Sequence, residues 1–209
     1  MRERPDLHFE RQAMRRGRRL VAGIDEVGRG PLAGPVAAAA VILDPRHPPK
    51  GLADSKVLSA KAREAAFGDI LSQAVAVSVA FVEAAEIDRI NIRQACHAAM
   101  RRALRGLAVN ADYALVDGND LPRDLGCDGE TIVKGDARSL SIAAASIVAK
   151  VVRDRLMARM HALYPVYGFD AHAGYATKAH LAAIAAHGPC RLHRMSFSPM
   201  RSRPLFASA

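Results

Sequence analysis

Apolar runs separated by polar turns predict alternating strands and helices along this chain. Short runs rich in small and β-branched residues predict buried strands at 20–25, 35–43, 74–82, 113–116 and 131–133. Longer stretches with apolar residues three and four positions apart predict helices at 59–72, 91–107, 137–163 and 177–186. Strands gathered early and then alternating with helices predict an α/β fold, a mixed sheet flanked by helices with a helical C-terminal appendage.

Both ends of the chain are basic. The 209 residues suffice for one compact domain, with 30 basic and 21 acidic side chains and a formal net charge of +9. Seven arginines fall within 1–19, and after Asp170 no acidic residue occurs. We expect 1–18 to be a basic flexible arm and 19–209 to be a single catalytic domain with a basic tail. Clustered positive charge is typical of a surface that meets polyanions.

Several classes of protein are disfavoured by composition. The sequence has no uncharged apolar run of about 18 residues, so no membrane partner is expected. The N-terminus lacks the apolar core of a secretory signal, which predicts a cytoplasmic protein. Cys96, Cys127 and Cys190 are scattered, which argues against a disulfide framework and against a zinc site. Nothing in the sequence demands more than a monomer.

One strand carries an unusual pair of acids at its end. The apolar run from Leu20 delivers Asp25 and Glu26, and the segment 28–30 (Gly-Arg-Gly) follows. Successive side chains of a regular strand point to opposite faces, so we expect the strand to end or twist here. The glycines let backbone approach a ligand closely, and Arg29 can grip phosphate. The alternative is a surface turn with two solvated acids.

Two further strands end in acid. Asp117 follows Val116, and Asp136 follows Val133 closely. Ligand sites of α/β sheets gather where strands end, so these acids are expected near Asp25. Carboxylates without nearby Cys or His favour Mg²⁺ or Mn²⁺, and two such ions about 4 Å apart promote phosphoryl displacement. Taken singly, Asp117 could instead cap a turn and Asp136 could cap the long helix.

Other chemistries have weaker support. The glycines at 28–34 do not form GxGxxG, and an apolar strand follows them, which disfavours a dinucleotide site. The sequence contains no GxxxxGK[ST] phosphate loop. Ser/His and Cys/His nucleophile arrangements stay open, although no nucleophile elbow occurs.

Ordered motifs extend along nearly the whole chain. They lie at 23–34, 54–56, 90–92, 116–119, 133–136, 141–150, 167–169, 172–177 and 193–197. On these motifs the chain resembles the bacterial ribonuclease HII family, the type 2 ribonucleases H, from Leu20 to about Pro199. One departure is Ala173, where many relatives carry a lysine that is suited to a phosphate contact.

The resemblance implies an RNase H-like fold and hydrolysis of the RNA strand in RNA–DNA hybrids with two divalent ions, Mn²⁺ or Mg²⁺. It also implies incision on the 5′ side of single ribonucleotides embedded in duplex DNA. The metal-binding catalytic acids would be Asp25, Glu26, Asp117 and Asp136. The 2′-hydroxyl and the adjacent phosphate would be held by Gly28, Arg29 and Gly30. The remaining substrate contacts would be Tyr175, on the neighbouring deoxyribose, and Lys56 and Asn91, on the nucleic-acid backbone.

Two rival functions remain open at this point. One is another metal nuclease or recombinase of the same fold, and the other is a non-catalytic module that binds RNA–DNA hybrids. The apolar pair in 203–206 suggests docking on a sliding clamp, against the simpler interpretation of a tail without function.

Overall fold

Short apolar segments form the central sheet, as the sequence predicts. The computed structural model describes residues 4–52, 55 and 58–202, and the described residues form five strands. These are β1 (Val21–Val27), β2 (Val36–Ile42), β3 (Ala76–Val82), β4 (Tyr113–Asp117) and β5 (Asp128–Ile132). In the order β3-β2-β1-β4-β5, β1 pairs antiparallel with β2 and parallel with β4. The pair β2–β3 is antiparallel and β4–β5 is parallel, so the sheet is mixed.

The helices follow the predicted periodicity with shifted ends. They are α1 (His8–Arg15), α2 (Ala60–Gln73), α3 (Ala84–Ile90), α4 (Ile92–Arg105), α5 (Leu140–Leu163), α6 (Phe169–His172) and α7 (Lys178–His187). The helices α1, α3 and α6 are additions to the prediction. Ser59 caps α2 by accepting the N–H of Ala62. Within the described ranges, no helix combines the length and apolarity needed to cross a bilayer.

Two helical layers cover the sheet. On one face α5 and α2 pack over residues such as Ala39 and Val41, and on the other α4 packs over residues such as Ala38 and Ala40. The helix α5 comes so close to β1 that a Cβ at Gly23 would overlap the backbone of Ser141. A glycine is therefore required at this position, because only a bare α-carbon leaves room for the start of the helix.

The N-terminal segment corrects one prediction. Over the described residues 4–18 it is not a flexible arm, because α1 packs against the core through Leu7 and Ala13, which are buried. Its Glu10 is also buried, and the Oε1 atom accepts hydrogen bonds from both Ser139 and Ser141 at the start of α5. The many arginines of this segment conceal its short apolar pattern in the sequence.

Candidate active site

The two adjacent acids lie inside β1, and the strand does not end between them. Asp25 stands opposite Ala39 and Glu26 opposite Ala38, and regular pairing continues to Val27. The strand ends one residue after the pair, at Val27, rather than at the pair itself, where an end or a twist is expected from the sequence. Both side chains nevertheless line one cleft of about 400 Å³ near the end of the strand. The cleft is lined by Asp25, Glu26, Val27, Ser55, Arg63, Ser146, Lys150 and Tyr175.

Of the other two predicted acids, Asp117 lies beside the first pair, and neither Asp117 nor Asp136 is among the residues that line the cleft. Because Ile24 pairs with Val116 in the parallel β1–β4 ladder, Asp117 is the lateral neighbour of Asp25. The Oδ1 atom of Asp117 accepts the N–H of Gly135 at 2.6 Å, which ties the end of β4 to a 3₁₀ turn, Gly135–Ala137. That turn carries Asp136, which is buried. Ser139, and not Asp136, caps α5.

The carboxylates crowd one another electrostatically. Burial, followed by the charges of Glu26 and Asp117, raises the pKa of Asp25 well above its usual value. Burial also raises the pKa of Glu26, although Arg29 opposes this with its Nη1 atom 3.0 Å from Oε1. The other oxygen of Glu26, Oε2, is buried and has no hydrogen-bond partner among the described residues. The site therefore holds more negative charge than its own groups neutralise.

The donor set fits a hard divalent cation. No three His, Cys, Asp or Glu side chains in the described ranges stand at ready-made metal-binding spacing. The chemistry is nevertheless suited to a metal, since the donors are carboxylate oxygens, one of them orphaned, in a buried and like-charged setting. Burial raises the pKa of the nearby thiol of Cys96 to about 12, so it does not offer a thiolate ligand at neutral pH.

Two buried arginines hold the glycine-arginine turn after β1 by donating hydrogen bonds to backbone carbonyls in and around it. Arg194 donates to the carbonyls of Gly28 at 2.6 Å, Arg29 at 2.9 Å and Gly34 at 2.9 and 3.0 Å. Its side chain is 0% exposed, and burial together with the charge of Arg153 lowers its pKa to about 10. The turn is thus anchored by a residue that follows it by more than 150 positions.

Arg153 is the second anchor. It extends from α5 and donates to the carbonyls of Pro35 at 2.9 Å, Ala173 at 3.0 Å and Ala33 at 3.3 Å. Gly28 has φ +91°, and a Cβ there would overlap the Arg153 guanidinium. Among the described residues, neither buried arginine has a carboxylate within ion-pair distance, so backbone carbonyls take the place of acids.

Tyr175 lies at the rim of the turn. A Cβ added to Gly30 would be 4.0 Å from the ring atom Cε1 of Tyr175, and the tyrosine is 42% exposed. Its carbonyl accepts from Nδ1 of His180 at 2.9 Å, and Nε2 of His180 lies 3.1 Å from Nε2 of His193. Nδ1 of His193 accepts the N–H of Cys190 at 2.9 Å, so neutral tautomers satisfy the whole chain of contacts.

Two predicted substrate contacts are less closely tied to this site. Asn91 caps α4, with Oδ1 accepting the N–H of Gln94 at 3.1 Å and with φ +66°, and no described contact joins it to the acids. Lys56 lies outside the described residues.

Sequence reasoning missed both anchoring arginines. The sequence predicts a helix at 137–163 but no buried arginine in it, whereas Arg153 and Met157 are both fully buried. One signal was available, since Arg153 lies four residues after Ala149 and four before Met157, on one helical face. A lone arginine on the apolar face of a helix can thus signal a buried cation whose partners are backbone carbonyls.

The fold recurs in solved ribonucleases H. The ribonuclease H2 of Pyrococcus horikoshii OT3 gives a TM-score of 0.73 at 25% identity, over 88% of this chain and 96% of that one. The RNase HII of Archaeoglobus fulgidus, solved in a complex with PCNA, gives 0.72 at 28% identity, over 86% and 96%. Bst-RNase HIII in complex with Mn²⁺ shares the fold, with a TM-score of 0.67 at 19% identity over 87% and 68%. Together with the carboxylate cleft, these likenesses define the class as a ribonuclease H, a hydrolytic nuclease.

Sequence similarity narrows the class to one family. The family model described as Ribonuclease HII matches residues 22–200. Ribonuclease HII of Rhizobium johnstonii is 59% identical over 94% of this chain and 86% of its own length. That of Sinorhizobium medicae is 60% identical over 94% and 91%. The chain therefore belongs to the ribonuclease HII family, endoribonucleases that act on RNA–DNA hybrids and are typically metal-dependent. The predicted family and fold class are confirmed.

Proposed function

We propose that this protein incises duplex DNA on the 5′ side of a single embedded ribonucleotide, in addition to cleaving the RNA of RNA–DNA hybrids. The observation that carries this proposal is the adjacency of the glycine-arginine turn to both the acids and Tyr175. Arg29 reaches Glu26 at 3.0 Å, and Gly30 faces the tyrosine ring. A sugar held at the turn would therefore have its phosphate close to the carboxylates.

Recognition is assigned to the turn. The 2′-hydroxyl is the group that distinguishes RNA from DNA at one nucleotide, and it both donates and accepts hydrogen bonds. Backbone groups of Gly28, Arg29 and Gly30 approach it without a bulky side chain in the way. Tyr175 would pack on the next deoxyribose and so select an RNA–DNA junction. Lys56 and Asn91 are proposed as backbone contacts.

Catalysis is assigned to Asp25, Glu26, Asp117 and Asp136, which would hold two Mg²⁺ or Mn²⁺ ions. Ions held there would supply an activated water and charge stabilisation for the leaving oxygen. The water oxygen forms the new bond to phosphorus and the bond to the upstream 3′ oxygen breaks, which leaves 3′-OH and 5′-phosphate ends. The protein's own part would be to supply four carboxylates at one end of the sheet, two of them buried (Asp25 and Asp136) and two partly buried (Glu26 and Asp117), so that their charge attracts the ions.

The direct test uses an end-labelled DNA duplex that contains one ribonucleotide, with an all-DNA duplex and an uninterrupted hybrid as matched substrates. We expect a single Mg²⁺- or Mn²⁺-dependent cut 5′ to the ribonucleotide, no cut in the all-DNA duplex and none with EDTA. Cleavage of the hybrid alone would contradict the junction role of Tyr175. Binding without cleavage of either substrate would favour the hybrid-binding module instead.

A sliding clamp is a second proposed partner, through the tail at 203–209, which lies outside the described residues. The support is the solved complex of the Archaeoglobus fulgidus enzyme with PCNA. Deletion of 203–209 should abolish clamp binding in a pull-down with the host clamp and leave cleavage of a short duplex unchanged. Equal clamp binding by the full and shortened chains would refute the assignment.

A further inference from the structure

The hydrogen bonds of Arg194 fix the direction of two consecutive peptide units. Its guanidinium holds the carbonyls of Gly28 and Arg29 toward the protein interior. In a trans peptide the N–H of the next residue points opposite to that carbonyl. The N–H groups of Arg29 and Gly30 therefore point outward, and neither has an acceptor among the described residues. Both residues are exposed, so the two donors are available to a ligand.

The same arginines place positive charge beneath these donors. Arg153 lies close enough to Arg194 to disfavour the charge of Arg194, and both are 0% exposed. Because their described partners are neutral carbonyls, the charges are not cancelled by an ion pair. Successive outward N–H groups already form a concavity suited to an anion, and buried cations below it strengthen its field.

Arg153 also joins the turn to the segment that carries Tyr175. It donates to the carbonyls of Ala33 and Ala173 at once. A backbone bond from Leu32 N–H to the carbonyl of Gly174, at 2.8 Å, runs parallel to this link. The distance between the outward N–H groups and the tyrosine ring is thus set by the Arg153 guanidinium together with this backbone bond.

We propose that Arg153 and Arg194 are positioning residues for ribonucleotide discrimination, which aim the Arg29 and Gly30 amides at the 2′-hydroxyl and its phosphate without touching the substrate. The inference rests on the proposed function, since it concerns how the turn of that same site is held. It assigns selectivity to residues that are remote in sequence from the glycine-arginine motif.

The test measures binding without chemistry. In an Asp117→Asn background with EDTA, Kd is measured for a duplex with one ribonucleotide and for the identical all-DNA duplex. We expect Arg194→Lys to reduce the ratio of the two affinities by about tenfold, because lysine cannot hold both carbonyls in the arginine's fork geometry. Affinity for the all-DNA duplex should stay within about twofold. The matched control is Arg155→Lys, on an exposed arginine that lies on α5 with Arg153 and pairs with Glu64.

A salt titration separates positioning from direct contact. A residue that touches phosphate changes the slope of log Kd against log salt by about one when it is removed. Because lysine keeps the positive charge, this titration uses Arg194→Gln and Arg153→Gln, which should leave the slope unchanged while the discrimination ratio falls. A changed slope, or an unchanged ratio in a folded variant, would overturn the inference. Far-UV circular dichroism and thermal unfolding establish folding, and Arg153→Lys, which loses a different set of bonds, provides a second variant.

The two proposals fail in different ways. If the unaltered protein itself shows no preference for the ribonucleotide duplex, the proposed function fails. If it shows the preference and both lysine variants keep it, only the positioning role fails.

Discussion

The acids and the glycine-arginine turn lie side by side, yet their electrostatics are opposite. Around Asp25 and Glu26 negative charge is buried against negative charge, and one oxygen of Glu26 has no described partner. In the turn, the carbonyls of Gly28 and Arg29 accept hydrogen bonds from the buried guanidinium of Arg194, as does that of Gly34 just beyond it. The acid cluster thus contains a polar atom without a described hydrogen-bond partner, whereas the carbonyls of the turn are hydrogen-bonded before any substrate binds.

The difference teaches how the two tasks are divided. Discrimination between sugars needs donors fixed in advance, because a flexible turn would adapt to deoxyribose as readily as to ribose. Ion binding instead benefits from unrelieved negative charge, which raises affinity for a divalent cation at the expense of stability. One part of the site is preorganised and the other part is electrostatically strained.

The largest expected effect comes from the acid cluster. Asp117→Asn should lower kcat by at least about 10²-fold, because one charged oxygen donor is lost from the catalytic cluster. Single-turnover cleavage of the one-ribonucleotide duplex measures this. Asp69→Asn, which changes an exposed aspartate in α2, should retain full activity. Near-normal cleavage by Asp117→Asn would remove Asp117 from the catalytic set.

The turn is broken most directly at Gly28. Gly28→Ala combines a left-handed backbone with overlap on Arg153, so we expect about 2–4 kcal/mol of lost stability and weaker ribonucleotide preference. Gly126→Ala is matched in backbone strain, with φ +95°, but it meets no atom within 4 Å. It should lose only about 1 kcal/mol and keep the preference. Equal behaviour of the two variants in urea unfolding and duplex binding would show that Arg153 contributes nothing to the turn.

The support of Asp136 can be loosened from outside the cleft. Glu10→Ala removes the acceptor shared by Ser139 and Ser141, which lie three and five residues after Asp136. It should destabilise the protein by about 2–3 kcal/mol. Glu64→Ala, on an exposed ion pair, should cost under about 1 kcal/mol. Chemical denaturation of both variants provides the comparison. A Glu10 variant as stable as the Glu64 variant would show that the contacts of Glu10 with α5 contribute little to the free energy of unfolding.

The strain among the acids should appear as a pH effect in EDTA. A folded-state pKa raised above the unfolded value gives stability at low pH that is lost as the pH rises through the raised pKa. Asp25→Asn should therefore stabilise the metal-free protein by about 0.5–2 kcal/mol at neutral pH and flatten its pH dependence. Urea unfolding with and without Mn²⁺ tests this, since bound metal should remove the advantage. A destabilised Asp25→Asn variant in EDTA would contradict the strained-acid account.

The smallest effect concerns the histidine contacts behind Tyr175. Burial and the neighbouring His180 lower the pKa of His193 to about 4, so it contributes stability above the usual value of 6.5 that is lost as pH falls toward 4. His193→Gln should weaken this acid-side decline and leave neutral-pH cleavage nearly unchanged. Thermal unfolding across that range measures it, and an identical pH profile in the variant would argue that His193 stays neutral in both states.

Local patterns explain what was predictable from sequence. Asp25 lies near the end of β1, Asp117 is the last residue of β4 and the glycine-arginine turn follows β1, so their place at one end of the sheet could be inferred from neighbours in the chain. The partners of Arg153 and Arg194 are 118–166 positions away in most cases, and no local pattern specifies such pairings.

The charged residues of the N-terminal segment also led to a wrong prediction, because one of them is buried. Glu10 lies among arginines and suggests a solvated arm, yet it is 2% exposed because Ser139 and Ser141 compensate it from a distant helix. Alternation along β1 predicts that the strand ends or twists where Asp25 and Glu26 share a site. Pairing instead continues to Val27, and both side chains still line one cleft, which a one-dimensional pattern does not reveal.

The central claim is that recognition is complete without the catalytic charge. The most direct measurement is the ratio of affinities of Asp117→Asn, in EDTA, for a duplex with one ribonucleotide and for the same duplex of DNA alone. The account predicts a preference at least as large as that of the unaltered protein under the same conditions, because the turn and Tyr175 are untouched. Loss of the preference in this folded variant would show that the acids, and not the turn, distinguish ribose from deoxyribose.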